Sequence, residues 1–273
     1  MIHRLVTLLA LGVLVSPSFA QSTGGNTLTI LQEGHGNSLD VDQSAATGAR
    51  VNGLTIDQRT DRFEVLVGTR NIYGTDEKGE PVVIGQEDII KPFSMQRLSP
   101  SLGSSAPARQ IGANNSATIV MGGDAGEVGL FQDSRGLFAI RGNEAEITAL
   151  QGSSAFVGQE GGGNRATLNV DALAASGTIL QRGFGNSAEL NVTGAGAKGL
   201  ISQIGIANDT NLTVNSPGAD VSYVVEGIGL RSINPGGLQV TTNVNAPISI
   251  RQSGFGAFNG VAVGPTIGVS VPR

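Results

Sequence analysis

ILQRGFGN occupies residues 179–186, and two related stretches, FVGQEGGGN and ISQIGIAN, occupy residues 156–164 and 201–208. Each stretch contains a glutamine, then a glycine-containing segment, then an asparagine. The three glutamines Gln159, Gln181 and Gln203 are 22 residues apart. Internal repeats with a fixed period of about 20–50 residues are typical of solenoids and related arrays. This repeat therefore decides the fold that we expect.

Further glutamines extend the same series along the chain. Gln110 and Gln132 are again 22 residues apart, and Val225 lies 22 residues after Gln203 in place of a glutamine. Longer spacings of 24 to 28 residues, which we interpret as loop insertions, relate the series to Gln32, Gln58, Gln86 and Gln252. The glycines that follow position 225 are retained, so the repeat is expected to continue through it.

Each repeat reads as strand, tight turn, strand. The residue two positions before the glutamine is mostly aliphatic, as at Ile179 and Ile201, and side chains two apart lie on the same face of a strand. Glycines at the second and fourth positions after the glutamine accept a positive φ without steric cost and predict a turn. These turn glycines are Gly34, Gly36, Gly161, Gly163, Gly183, Gly185, Gly205, Gly227, Gly229, Gly254 and Gly256.

A second strand follows each turn, with inward positions such as Asn186, Ala188, Leu190 and Val192. One such unit is too small to be stable alone, but stacked units bury a continuous core. The expected fold is therefore all-β, a β-solenoid of stacked strand–turn–strand repeats with about 22 residues per rung.

Amides at repeated inward positions predict hydrogen-bonded ladders. A buried unpaired amide costs about 1–3 kcal/mol, whereas identical amides in a stack pair with one another. The alternative is that they are surface turn residues, since asparagine after glycine is common in turns. The expected ladder and self-assembly residues are Gln32, Asn37, Gln43, Gln110, Asn115, Gln132, Gln159, Asn164, Gln181, Asn186, Gln203, Asn208 and Gln252.

Residues 1–20 have the order of a secretory signal peptide. Arg4 precedes an apolar run, and small residues lead to a cleavage site expected between Ala20 and Gln21. A membrane anchor is the alternative, but the run is shorter than the ~20 residues that a spanning helix needs. We expect periplasmic export, then secretion to the extracellular surface, with no integral membrane segment in the mature chain.

The remaining chain divides by composition. Residues 21–59 form the first rungs, residues 110–263 form the main solenoid, and residues 264–273 form a tail. Residues 60–109 are charged and contain proline, and we expect a loop-rich insertion there. Neither end of the stack shows an obvious cap.

Composition excludes several classes of protein. There are no cysteines and no tryptophans, so neither disulfides nor a large aromatic core can stabilise the chain. The formal net charge is −5, and loss of the signal peptide leaves 16 basic against 22 acidic residues. Nucleic acid is therefore not an expected partner, because binding phosphate needs clustered Lys and Arg.

The repeats resemble those of the curlin family, whose pattern has an aliphatic strand, Gln-x-Gly-x-Gly-Asn and a closing glutamine. Residues 30–43 look like a complete copy, whereas the closing position of the later copies holds Val170, Val192 or Val214. The resemblance covers about half of the mature chain. It implies an exported subunit of curli, the functional amyloid of bacterial biofilms, with other curlin subunits and curli export or assembly factors as partners.

No catalytic, cofactor-binding or metal-binding residue is expected. His35 occupies a turn position, and the GAGAKG segment at residues 194–199 opens no helix, so it lacks the context of a dinucleotide site. Gly122-Gly123-Asp124 does not recur as a calcium-binding repeat would. The acidic residues Asp76, Glu77 and Glu80 fit a solvated loop better than a glycosidase pair.

The leading functional hypothesis is a self-assembling fibre protein for biofilm matrix, adhesion and surface attachment. Two alternatives remain. One is a monomeric β-solenoid adhesin or minor nucleator that presents residues 60–109 to a partner. The other is a polysaccharide-acting enzyme, which the shortage of His, Trp and Tyr disfavours.

Overall fold

A computed structural model describes residues 19–23, 25–102, 106–135, 141–232, 237–240, 247–255 and 258–264. Every regular element in these ranges is a β-strand. The chain forms two compact units. The large unit contains the described residues up to Gln58 and from Arg97, and the small unit is Arg59–Gln96.

The strands have the following bounds. They are β1 (Phe19–Thr23), β2 (Asn26–His35), β3 (Ser38–Thr47), β4 (Arg50–Asn52), β5 (Leu54–Thr75), β6 (Pro81–Leu102), β7 (Ala108–Ala113), β8 (Ser116–Asp124), β9 (Glu127–Asp133), β10 (Glu144–Leu150), β11 (Ser154–Gly162), β12 (Arg165–Asp171), β13 (Ser176–Phe184), β14 (Ser187–Val192), β15 (Lys198–Ile206), β16 (Asp209–Val214), β17 (Asp220–Ile228), β18 (Leu238–Val240), β19 (Ile248–Phe255) and β20 (Phe258–Gly264).

Two long sheets, parallel except at the outer strands of the first, make a β-solenoid-like fold. The first sheet has the order β1-β2-β4-β9-β11-β13-β15-β17-β19-β20, and β7 also pairs with β2 and β9. The second has the order β18-β16-β14-β12-β10-β8-β3. We call one strand of each sheet, with its turn, a coil. Successive coils are in register, so that Gln159 lies opposite Gln181 and Gln181 lies opposite Gln203.

The core lies between the two sheets. Strand β12 alternates exposed or half-buried residues with buried ones, and Ala166, Leu168 and Val170 face inward. In the first sheet Val157, Ile179 and Ile201 are fully buried in the same cluster. The period-two apolar pattern of the sequence therefore produces one aliphatic core shared by both sheets.

The turn glycines allow neighbouring coils to approach closely. A Cβ atom on Gly183 would lie 1.9 Å from the carbonyl oxygen of Gly205, and one on Gly161 would lie 2.0 Å from that of Gly183. The second turn position has a left-handed backbone, with φ of 66° at Gly185. Ala207 adopts the same conformation with φ of 54°, and this is sterically strained because alanine, unlike glycine, has a Cβ atom.

One coil is divided by an insertion. Strand β4 ends at Asn52, opposite Gly129 of β9, and β7 begins at Ala108, one position further along the same partner strand. Residues 53–107 are therefore inserted inside a strand rather than in a turn. Gln32 and Gln110 are 78 residues apart in sequence but hydrogen-bonded neighbours.

This insertion corrects two positions of the predicted glutamine series. Gln58 and Gln86 belong to β5 and β6, which pair with each other and with neither long sheet. Gln58 accepts a hydrogen bond from Arg182, and Gln86 donates one to Asn71. The prediction was wrong because an aliphatic residue two positions before a glutamine is compatible with any strand and does not identify a strand of the repeat.

The base of the inserted segment packs on the outer face of the first sheet. The backbone N–H of Leu98 donates to Ser202 Oγ at 2.8 Å. Ile56 lies over Gly158, where a Cβ atom would be only 2.9 Å from the Ile56 side chain. We call the resulting apolar group the outer cluster, and it consists of Leu54, Ile56, Leu98, Phe156 and Leu180, flanked by Phe131, Leu200 and Ile204.

The small unit is a hairpin rather than the loop-rich region that the sequence predicted. Its strands β5 and β6 form a two-stranded sheet. Hydrogen bonds join Thr60 to Gln96 and Arg70 to Glu87, so the strands are antiparallel. The loop prediction relied on charge and proline, but proline is compatible with an edge strand, and here both strands are edges.

Both ends of the first sheet carry an antiparallel strand, contrary to the expectation that neither end has a cap. Strand β1 pairs with Asn26–Ile30 of β2, and β20 pairs along the whole of Ser249–Phe255 in β19. The predicted cleavage site between Ala20 and Gln21 falls within β1 and stays a prediction. Residues 1–18, Gly256 and residues 265–273 lie outside the described residues.

Candidate functional site

A column of glutamine side chains runs through the interior of the large unit. The amides of consecutive members are joined by hydrogen bonds of 2.5 to 2.9 Å. All members are fully buried except Gln32, which is 5% exposed. The column contains Gln32, Gln110, Gln132, Gln159, Gln181 and Gln203, and we call it the glutamine ladder.

The ladder has a direction, and from Gln110 to Gln203 each amide nitrogen donates both of its hydrogens. Gln159 Nε2 donates to Oε1 of Gln181, the next member toward the carboxyl terminus, at 2.8 Å. Its second hydrogen bonds the carbonyl of Glu144, the first residue of β10, at 3.0 Å. Gln110, Gln132 and Gln181 repeat this arrangement. Because these donors are paired, the desolvation cost of a buried amide is offset.

An asparagine ladder runs beside it at the start of the second-sheet strands. Asn164 Oδ1 accepts from both the backbone N–H and Nδ2 of Asn186, at 3.1 and 3.0 Å. Asn186 Nδ2 also donates to the carbonyl of Gly205 at 3.0 Å. This ladder contains Asn37, Asn115, Asn143, Asn164, Asn186 and Asn208.

Asn143 is a ladder residue that the sequence analysis missed. It is 28 residues from Asn115 and 21 from Asn164, so it falls out of the regular spacing. Two features of the sequence could have identified it, namely the glycine before it and the apolar residues that alternate from Ala145 onward.

The glutamine ladder stops at Val225, and two side chains satisfy the amides on either side of the break. Gln203 Nε2, which has no glutamine to bond, donates to Thr210 Oγ1 at 2.8 Å. Beyond the break, the Tyr223 hydroxyl donates to Gln252 Oε1 at 2.7 Å. Thr210 replaces the alanine of other repeats and Tyr223 replaces an isoleucine, so three substitutions act together.

Two predicted ladder residues do not join the ladders. Gln252 lies in the same column but is separated from Gln203 by the coil that contains Val225, and it bonds Tyr223 and Arg231 instead. Gln43 lies at a β-bulge in β3, where its amide donates to the Thr27 carbonyl and to Met121 Sδ. The bulge displaces Gln43 from the repeat, a shift that the sequence pattern did not signal.

The ladder begins at Gln32 in β2, next to the edge strand β1. Gln32 Oε1 is buried and has no hydrogen-bond partner among the described residues, although Gln32 Nε2 donates to Gln110. Every other ladder Oε1 accepts from the preceding glutamine. Gln32 is therefore an acceptor for which the described part of the chain provides no donor.

Only some of the predicted turn glycines lie between strands, namely Gly36, Gly163, Gly185 and Gly229. The others described are the second-last residues of first-sheet strands, and these are Gly34, Gly161, Gly183, Gly205, Gly227 and Gly254. Gly34, Gly161, Gly183, Gly205 and Gly254 have φ between 100° and 138°. Gly227 does not have a positive φ, but a Cβ atom there would lie 2.1 Å from the carbonyl oxygen of Gly254. Close approach between coils, rather than conformation alone, therefore excludes side chains from this column.

Charged pairs line the outer faces of the sheets. Arg182 bonds Glu160 at 2.5 Å, and Arg165 bonds Glu144 at 2.6 Å, each across neighbouring coils. Burial by itself raises the pKa of Asp133, but the hydrogen bonds and charge of Arg135, helped by Arg109, outweigh it and hold that pKa below its ordinary value. The Arg182–Glu160 and Arg165–Glu144 pairs join neighbouring coils at the surface, whereas the Asp133–Arg135 pair lies within one coil.

Groups that could carry other chemistry lie apart from one another. His35 is an exposed residue at the end of β2, and the strand β15 rather than a helix follows residues 194–197. Asp76 Oδ1 accepts from the backbone of Lys78 and Glu80 in the hairpin turn. Within the described ranges no group of three or more His, Asp or Glu side chains could hold a metal ion.

Comparison with known proteins adds no relative. No family model, no curated protein and no solved structure matches the chain. Among the residues with described positions, no helix has the length and hydropathy needed to cross a membrane.

Proposed function

We propose that this chain is a secreted, curlin-like structural protein that stacks with copies of itself into extracellular amyloid-like fibres for biofilm matrix and attachment. The observation that supports this most is the glutamine ladder, which is buried, directional and repeated along the stacking axis. Such a ladder gains one hydrogen bond for each coil added, whether the coil belongs to the same chain or to another.

Three features support this proposal together. A rung of about 22 residues is short enough for each strand–turn–strand unit to fit one layer of a cross-β stack, with about 4.8 Å between layers. The amino-terminal sequence is typical of a signal peptide, which agrees with an extracellular role. The strand pattern resembles that of curlin subunits. Head-to-tail contact between the two ends of such a stack does not close, so it produces filaments.

The test is incubation of purified residues 21–273, followed by electron microscopy and fibre diffraction. We expect concentration-dependent fibres with a meridional reflection near ~4.7 Å. A ladder variant, Gln159→Glu with Gln181→Glu, places adjacent carboxylates in the column and should not assemble at neutral pH. The matched control is Gln239→Glu at the exposed position of β18, which should assemble normally. A wild-type protein that stays monomeric at every concentration would contradict the proposal.

A second candidate is a nucleator or adhesin that binds a partner through the hairpin. Its support is the exposure of large apolar side chains there, with Tyr73 64%, Ile84 66% and Ile90 54% exposed. Exposed apolar groups and unpaired strand edges are typical of binding surfaces. The test replaces residues 59–96 with an Asn-Gly turn. Lost attachment with unchanged fibre formation would favour this second role.

A further inference from the structure

The two ends of the stack differ in how much of their strand edge is occupied. At the amino-terminal end, β1 covers only Asn26–Ile30 of β2. No other described strand lies on that side of residues 31–35, nor on that side of Ser38–Thr47 in β3. We call this exposed edge, from Leu31 to Thr47, the amino-terminal face. Its backbone donors and acceptors can pair with another chain.

The chemistry of the amino-terminal face specifies what can occupy it. No donor from the described residues reaches the buried Gln32 Oε1, and a buried unpaired oxygen is costly. In the ladder, each such oxygen accepts from the amide nitrogen of the preceding coil. The missing group is therefore an amide N–H at the glutamine position of a parallel coil stacked on this face.

The last coil of the same chain matches this requirement in register. Residues 250–254 read Ile-Arg-Gln-Ser-Gly, and residues 30–34 read Ile-Leu-Gln-Glu-Gly. Stacking a second copy in register places Gln252 over Gln32 and Gly254 over Gly34. Ile250 then lies over Ile30, whose edge is occupied by Phe19 of β1, so this contact requires removal of residues 1–20 as the predicted signal peptide. The glycine match matters, because a side chain in that column would collide with the next carbonyl oxygen.

The carboxyl-terminal end is closed where this contact would form. Strand β20 pairs antiparallel with all of Ser249–Phe255, so it occupies the edge of β19 that a parallel coil needs. A strand edge holds one neighbour at a time, and β20 and a second copy are therefore mutually exclusive. Three of the seven residues of β20 are glycine or alanine, which makes it a weak strand.

We infer that β20 is an intramolecular cap, and that the amino-terminal face of one copy takes the carboxyl-terminal coil of a second copy only after β20 has left β19. The inference rests on the proposed self-assembly, and it adds the direction in which copies stack and the step that limits their addition. Addition is limited by release of the cap. The capped monomer stays soluble while its amino-terminal face remains available to a fibre end.

A reversible lock tests the cap. Ser253 and Gly260 are directly opposite in the antiparallel pair, and opposed residues have the Cα separation that a disulfide requires. The chain has no cysteine, so Ser253→Cys with Gly260→Cys gives one disulfide. Elongation is measured from sonicated wild-type fibres by sedimentation of labelled monomer. We expect at least about tenfold slower elongation when the lock is oxidised and wild-type elongation after reduction with dithiothreitol.

Two further variants make the outcomes distinct. Truncation after Phe255 removes the cap and should shorten the lag phase. Gln32→Leu removes the acceptor at the face and should slow elongation about tenfold, beyond any slowing by Gln159→Leu inside the ladder. Equal elongation by the oxidised and reduced lock would overturn the cap while leaving self-assembly intact. If the wild-type, reduced and truncated proteins all stay soluble, self-assembly itself fails, and the cap fails with it.

Discussion

Replacing Thr210 with valine should destabilise the chain through a single buried hydrogen bond. The change keeps the shape of the side chain and removes the oxygen that accepts from Gln203 Nε2 at 2.8 Å. Gln203 is fully buried, and the position beyond it holds Val225, which offers no acceptor. One amide hydrogen is left unpaired, and the expected loss of unfolding free energy is about 1–3 kcal/mol.

The matched control is Thr213→Val, the same chemical change on the same strand. Thr213 is half-buried on the outer face of β16, and its substitution should change the free energy of unfolding by no more than about 0.5 kcal/mol. Both variants are compared with wild type by urea denaturation of monomer, followed by far-ultraviolet circular dichroism. The slope of the transition reports whether the surface exposed on unfolding stays constant.

A rebuilt coil separates the hydrogen bond from other effects of the substitution. The variant Thr210→Ala, Tyr223→Ile, Val225→Gln recreates the residues found in the regular repeats, and its new glutamine accepts from Gln203 and donates to Gln252. We expect stability close to that of wild type. The reasoning is refuted if Thr210→Val costs no more than Thr213→Val, or if the rebuilt coil is less stable than Thr210→Val.

Three other predictions concern the turns and one charged pair. Gly183→Ala should cost about 1–3 kcal/mol more than Gly185→Ala, because both positions have positive φ but only the first Cβ meets a neighbouring carbonyl; thermal unfolding compares them. Ala207→Gly should raise the free energy of unfolding by about 0.5–1 kcal/mol, by relieving a left-handed alanine, and an unchanged urea midpoint would contradict this. Because the pKa of Asp133 is lowered in the folded state, this carboxylate contributes stability that is present above its ordinary pKa of 3.8 and is lost as the pH falls through the lower folded-state pKa. Asp133→Asn should therefore make stability depend less steeply on pH in the acid range. An unchanged pH dependence would exclude this role.

The columns at Gln159, Gln181 and Gln203 could be predicted from the sequence because their period is uninterrupted. Equal spacing places equivalent side chains over each other, and period-two alternation determines which side faces inward. The same reasoning failed at Gln58 and Gln86. An aliphatic residue two positions before a glutamine describes one strand locally, and it carries no information about which strand lies beside it.

The contacts at the ladder break could not be predicted for a related reason. Thr210 and Tyr223 look like ordinary substitutions until the fold is known. Thr210 satisfies the Gln203 amide of its own coil, and Tyr223 satisfies the Gln252 amide of the next coil. The cap at β20 was missed because its residues lack the glutamine signature and pair antiparallel. Sequence periodicity predicts what repeats, whereas these residues matter because they interrupt the repetition.

The division of one strand between Asn52 and Ala108 has a consequence for how such chains diversify. The chain leaves the first sheet after β4 and re-enters it with β7 in the same row, so β2 pairs with β4 before the insertion and with β7 after it. Segments of different length can therefore be inserted between Asn52 and Ala108, and evolution or protein engineering can replace one insertion with another without changing the strand pairing of the two long sheets.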